Sequence, residues 1–125
     1  MNKAVTCFVL ILCLVLGCKT EKYQQGRIIY ETSCLNCHMS DGSGLGEMYP
    51  KLKGSRYLAE DIELLPCLIR QGAQSRQLET VYMPGHPEIT TASMTNLINY
   101  MSDMWGDGRV VRLAEVTALM ESCSK

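Results

Sequence analysis

Cys34-Leu35-Asn36-Cys37-His38 is the stretch on which the reading of this 125-residue chain turns. Two thiols three positions apart can each form a thioether with one vinyl group of a haem. The residue that follows then presents an imidazole to the iron from the same side. Other uses of these residue types fit less well. A structural zinc site needs four ligands, usually as two pairs, and Cys67, Cys123 and His86 form no second pair. A thioredoxin-like redox pair wants a preceding strand in a βαβ frame, whereas the flanks here read as helix on one side and loop on the other. A disulfide between Cys34 and Cys37 would be strained and would leave His38 without a role. Covalent attachment of one haem through Cys34, Cys37 and His38 uses all three residues.

Upstream, Met1-Asn2-Lys3 is a short basic start, and Ala4 to Leu16 is an almost unbroken apolar run. That run suits the core of a signal peptide but falls short of the roughly 20 residues that span a bilayer. It ends Leu16-Gly17-Cys18, which resembles the lipobox of bacterial lipoproteins, where the cysteine is acylated and becomes the new N-terminus. The expectation is a signal peptide over 1–17, a lipid on Cys18 and a short polar tether over 18–24. Several acyl chains would hold the protein at a membrane surface, at roughly 0.8 kcal/mol per buried methylene. Lys19 stands where an inner-membrane retention signal has Asp, which favours the outer membrane. An ordinary cleaved signal with an incidental cysteine is the alternative.

Lys3 is the only one of twelve basic residues before Cys18, so eleven basic and thirteen acidic residues remain, a balance of −2. No clustered basic surface argues for nucleic acid. Seven cysteines in so short a chain might suggest a disulfide scaffold, but position sorts them. Cys7 and Cys13 lie in the leader, Cys18 ends it, Cys34 and Cys37 form the motif, and only Cys67 and Cys123 are left.

A haem iron held by His38 on one face needs a partner on the other, and that choice decides its chemistry. Met39 adjoins the proximal residue and cannot cross the ring. Met94 and Met101 fall on a helical face. Met83 sits in Val81-Tyr82-Met83-Pro84-Gly85-His86, where proline and glycine specify a turn. Met83 as a mere core filler is the plain alternative. His86 is the runner-up ligand, read otherwise as an exposed loop residue. The glycine-rich Asp41-Gly42-Ser43-Gly44-Leu45-Gly46 lacks the Lys-Ser/Thr ending and preceding strand of a phosphate loop, and reads as a flexible loop around the haem edge.

Over most of residues 24 to 108 the sequence resembles the class I mono-haem cytochrome c family. The resemblance implies an all-α fold, with about four to five helices wrapped around one covalently bound haem c. It implies that Met83, in the Met83-Pro84 pair, supplies the axial thioether to iron. It also implies that Pro50, twelve residues after His38, accepts a hydrogen bond from the ligand imidazole, with Leu52 packing beside it on the haem. Such a bond fixes the tautomer and raises ligand basicity. In the family a glycine and an aromatic on the first helix cross a leucine and an aromatic on the last, and Gly26, Tyr30, Leu97 and Tyr100 fit that spacing. Arg56 and Tyr57 are candidates, from position alone, to meet the haem propionates.

Elsewhere the elements follow from periodicity and punctuation. Residues 24 to 33 read as a first helix. Thr90 to Trp105 is the clearest helix, with Met94, Leu97, Ile98, Met101 and Trp105 on one face, Thr90 as N-cap, Ile89 and Met94 as a staple, and Gly106 as the stop. Ser55 to Gln71 reads as one or two shorter helices broken near Leu65, because proline is tolerated only in a first turn. Leu113, Val116, Met120 and Cys123 share a helical face, giving a C-terminal extension from about residue 109 to a cytochrome domain spanning 25–125. Cys67 and Cys123 then either bridge, clipping the tail to the middle helix, or remain two separate buried thiols; sequence cannot show that they meet.

The expected function is single-electron transfer at a membrane surface outside the cytoplasm, on its periplasmic side. The partners would be a dehydrogenase or quinol-oxidising complex as donor and a terminal oxidase or reductase as acceptor. Gly46 to Leu52 also resembles cytochrome domains that accompany quinoprotein dehydrogenases and nitrite reductases. A five-coordinate, peroxidase-like haem enzyme or sensor is the alternative if Met83 does not bind iron. A haem-free thiol–disulfide lipoprotein using Cys34 and Cys37 is another.

Overall fold

The computed structural model describes residues 21–74 and 82–123. The expected signal peptide, residues 18–20 of the tether with Cys18, and Val81 lie outside the described residues. Helix α1 spans Gln24–Ser33 and closes on Cys34, whose N–H donates to the Tyr30 carbonyl (2.9 Å). The single turn α2, Leu35–His38, follows at once. Two short 3-10 turns come next, Arg56–Leu58 and Ile62–Leu64. Helix α3, Leu65–Gln71, carries Pro66 in its first turn, where the missing N–H deprives the helix of nothing. The segment 55–71 is thus more broken than expected. The added break falls at Asp61, whose backbone leaves the helical region while its carboxylate takes the Arg56 guanidinium.

Beyond α3 the chain makes one small antiparallel ladder. β1 (Ala73–Gln74) pairs with β2 (Tyr82–Met83), and Ala73 stands opposite Met83. Helix α4, Thr91–Trp105, starts where the Thr90 hydroxyl accepts the Ser93 N–H (3.3 Å). It ends at Gly106, but not through a left-handed cap, since Gly106 has φ −97°. Glycine is required there because a side chain would lie 2.5 Å from the Leu58 carbonyl oxygen. Helix α5, Leu113–Ser122, opens with the Arg112 N–H donating to Glu115 (2.8 Å). Only Val116, Met120 and Cys123 of the expected face are buried. Leu113 is 53% exposed, because the helix meets the core only after its first turn.

The core lies between α1, α4 and the middle segment, with Tyr30, Leu58, Ile62, Met94, Leu97, Ile98 and Val116 all but inaccessible. The first and last core helices cross as expected. A side chain at Gly26 would sit 2.1 Å from the Asn96 carbonyl oxygen and 2.6 Å from Cβ of Tyr100. Glycine lets the two backbones touch. Tyr30, Tyr100 and Trp105 then cluster with ring centroids 4.8–5.8 Å apart, within the range of favourable aromatic pairs. Cys67 and Cys123 are joined by a disulfide with Cα atoms 5.2 Å apart, tying α5 to α3. Among the described residues, no helix is long and apolar enough to cross a membrane.

Candidate haem-binding site

One wall of the main cavity is built from a single helical turn. The N–H groups of Cys37 and His38 both donate to the Cys34 carbonyl (3.2 and 3.0 Å), so the two thiols and the imidazole are held on one cavity-facing side. Cys34 and Cys37 are free thiols, not bridged to each other. Burial, helped by the neighbouring Cys37, pushes the Cys34 thiol up to about 11, so it stays protonated near neutrality. The helical turn stops at Met39, a non-glycine residue at φ 62° and ψ 164°. That backbone is sparsely populated and persists only where its surroundings enforce it. Here the Tyr30 hydroxyl donates to the Met39 carbonyl at 2.6 Å. Burial holds that phenol far above its ordinary range, so it remains a donor.

From Met39 the chain curls back to support His38. Gly44 donates to the His38 carbonyl (3.2 Å), and Leu52 donates to the Gly42 carbonyl (2.8 Å). Gly44 takes φ 66°, with the Tyr49 carbonyl oxygen only 2.2 Å from where a Cβ would stand. The Asp41 carboxylate accepts the Ser43 N–H (3.0 Å), and the hydrogen bonds from Ser43 hold it below the usual carboxylate range. The curl delivers the Pro50 carbonyl to His38, 2.9 Å from Nδ1. With Nδ1–H donating there, Nε2 is the basic nitrogen, which is the tautomer a metal ligand needs.

A second wall, from a distant part of the chain, carries Met83. This methionine lies on β2, one residue before the Pro84-Gly85 turn, and is half-buried against the core. Gly72 caps α3 at φ 78°, and a side chain there would lie 2.3 Å from the Met83 carbonyl oxygen. The His86 N–H donates to the Ile69 carbonyl (2.9 Å), satisfying a helix-end acceptor that would otherwise lack a partner.

Between these walls lies a cavity of about 560 Å³, lined by Cys34, Cys37, His38, Pro50 and Met83 among others. This is within the roughly 300–1,000 Å³ usual for cofactor sites. A smaller apolar recess continues inward past His38, Leu52, Leu68, Met83 and Met101. The donor set fits a haem: two unbridged thiols beside an imidazole of fixed tautomer, a thioether lining the same cavity, and apolar walls. Among the described residues no three His, Cys, Asp or Glu side chains are grouped to hold a metal ion by themselves.

Two expectations need correction. Arg56 does not line either cavity. Its guanidinium is engaged by Asp61, with Nε 2.6 Å from Oδ2. Tyr57 does line the inner recess. His86 is not an exposed loop residue either: its side chain is only 16% exposed and lines the main cavity, with Nδ1 3.0 Å from Glu88. Sequence reasoning passed over Tyr49, Lys51 and Tyr82, which also line the cavity. Their positions beside Pro50 and Met83 were the available signal.

A cytochrome c family model matches residues 23–105, more than half the chain. The chain is also similar to the cytochrome c subunit of a quinone-dependent alcohol dehydrogenase from Gluconobacter oxydans (strain 621H). The two are 28% identical over 88 residues, which is 66% of this chain and 18% of that relative. The chain therefore spans under a fifth of the length of that relative. Taken with the all-α fold and the donor set around the cavity, the family match settles the class: the chain belongs to the cytochrome c family, haem electron-transfer proteins with covalently bound haem c.

Proposed function

We propose that this protein is a single-haem electron carrier tethered by a lipid on Cys18 to the periplasmic side of a membrane, with the outer membrane favoured. The signal peptide spans 1–17, the tether 18–24, and the cytochrome domain 25–125 with its helical extension. Cys34 and Cys37 would hold the haem through thioethers, and His38 and Met83 would hold its iron. One observation carries the reading: His38 and Met83, from distant parts of the chain, line the same cavity, and His38 has its Nδ1 committed to Pro50.

When bound, the haem supplies one-electron exchange at its iron. The chain's residues set the conditions. Pro50 holds the His38 ring in one orientation and makes Nε2 the donor. Met83 would hold the iron together with His38, so a bound haem would have no open site for a substrate, and His/Met ligation would raise its potential relative to bis-His. Leu52, Leu68 and Met101 keep the inner recess apolar. Exposed Met48 and Tyr82 stand at the mouth of the main cavity and offer apolar contact to a partner. A quinone-dependent dehydrogenase is the favoured electron donor. The similarity to a dehydrogenase's cytochrome c subunit and the sequence Gly46 to Leu52 both support it. An oxidase or reductase is the acceptor.

The ferric absorption spectrum is the test. The wild-type holoprotein should show the weak far-red methionine–iron charge-transfer band. Met83→Ala should lose it while keeping covalent haem. A high-spin wild-type spectrum with peroxide turnover would overturn the carrier reading in favour of an enzyme. For the anchor, wild-type protein should sediment with membranes and Cys18→Ser should not.

A further inference from the structure

Among the described residues, the backbone contacts around Met83 lead back to the end of α3. Ala73 pairs with Met83, and His86 donates to the Ile69 carbonyl. Gly85 packs so closely that a side chain there would lie 2.7 Å from the Arg70 carbonyl oxygen. Whatever fixes residues 69–73 therefore fixes Met83. Helix α3 is seven residues long, too short to persist without outside support.

That support comes from a part of the chain beyond the family match, which ends at residue 105. The Cys67–Cys123 disulfide closes a sequence separation of 56 residues between α3 and the end of α5. One turn later on α3, the Gln71 side-chain amide donates to the Cys123 carbonyl. The tail is itself anchored. The Asn99 side chain bonds Val111 in both directions, accepting from its N–H at 2.8 Å and donating to its carbonyl at 3.0 Å. Ser102 donates to the Arg109 carbonyl (2.8 Å), while Val116 and Met120 are buried in the core. The path runs from α4, the most buried helix, through the tail and the disulfide to α3, and so to Met83.

We propose that the C-terminal extension, through Cys67, Cys123 and Gln71, is a positioning brace for Met83. It holds the end of α3 so that the thioether stays presented to the cavity and resists displacement by an external ligand. The proposal rests on the reading of Met83 as the distal axial ligand. It assigns the three residues no direct contact with the haem. A disulfide that merely stabilised the fold would act on both walls of the cavity alike. A brace acts on one.

The test compares wild-type holoprotein with C67S/C123S by two readouts. In imidazole titrations followed at the far-red band, the double variant should give up its methionine ligation at about tenfold lower imidazole. In amide hydrogen exchange, the His86 and Gly72 N–H groups should exchange about tenfold faster, while the Cys34 N–H on the other wall is unchanged. Unchanged imidazole sensitivity, or equal acceleration at Cys34 and His86, would overturn the brace. If C67S/C123S does not accumulate as holoprotein, Gln71→Ala carries the test. It keeps the disulfide and should move both readouts about threefold in the same direction, and no movement would overturn the proposal. If Met83→Ala retains the far-red band, the ligand assignment has failed. The exchange pattern then still decides whether the tail braces residues 82–86.

Discussion

The two walls of the cavity are built on different length scales. The Cys34–His38 wall is local: the helical turn, the strained Met39 and the curl that returns Pro50 to His38 all lie within a short run of chain. From outside that run it is met by Tyr30, nine residues before Met39, and by Trp105, which packs against Gly42. The Met83 wall is assembled from afar, with β2 leaning on β1, β1 on α3, and α3 on Cys123 at the end of the chain. A locally enforced site keeps its shape as long as its own segment is folded. A remotely enforced one can open without global unfolding, since local opening free energies range widely below the global value. With His38 and Met83 as the proposed ligands, the difference predicts that Met83 is the first to be exchanged.

The severest way to break the local wall is Gly44→Ala. It forces a side chain into φ 66° and against the Tyr49 carbonyl. Left-handed strain and overpacking together should remove about 3 kcal/mol from the global stability. Chemical denaturation of the holoprotein measures this, and the far-red band should persist up to the lowered midpoint. Gly72→Ala makes the matching insult on the remote wall, at φ 78° and against the Met83 carbonyl. Its global effect should be smaller, about 2 kcal/mol, while the far-red band disappears well before the midpoint. Equal behaviour of the two variants would erase the distinction between the walls. The finest probe is Tyr30→Phe, which removes one hydrogen bond to Met39. The Met39 carbonyl still accepts from Gly42 (3.3 Å), so the loss should be about 1 kcal/mol, again read from the denaturation midpoint.

The same difference of scale explains what the sequence disclosed. The C-x-x-C-H motif, the helix from Thr90 to Trp105 and the placement of Pro66 depend on neighbours a few positions apart, and all are readable in one dimension. The Gly26 crossing was readable because a family spacing stood in for the missing third dimension. Arg56 was misplaced because an exposed arginine chooses among nearby carboxylates, and Asp61 won through a bend at that residue. His86 was misjudged because its burial depends on Ile69 and α3. Leu113 fits the helical period but lies beyond the edge of what α5 packs against. The strain at Met39 leaves no mark in the sequence at all, since methionine has no preference for that backbone.

Trp105 gains a use from where it sits. It is the chain's only tryptophan, 8% exposed, at the end of α4 against Tyr30 and Tyr100. Gly42 presses on its indole so closely that a Cβ there would lie 2.7 Å away. The ring is therefore touched by α1, by α4 and by the curl that supports His38. Its emission is an intrinsic gauge of whether those three have closed on one another. Maturation, from thiol chain to finished carrier, can thus be followed by light from a single residue without attaching a label.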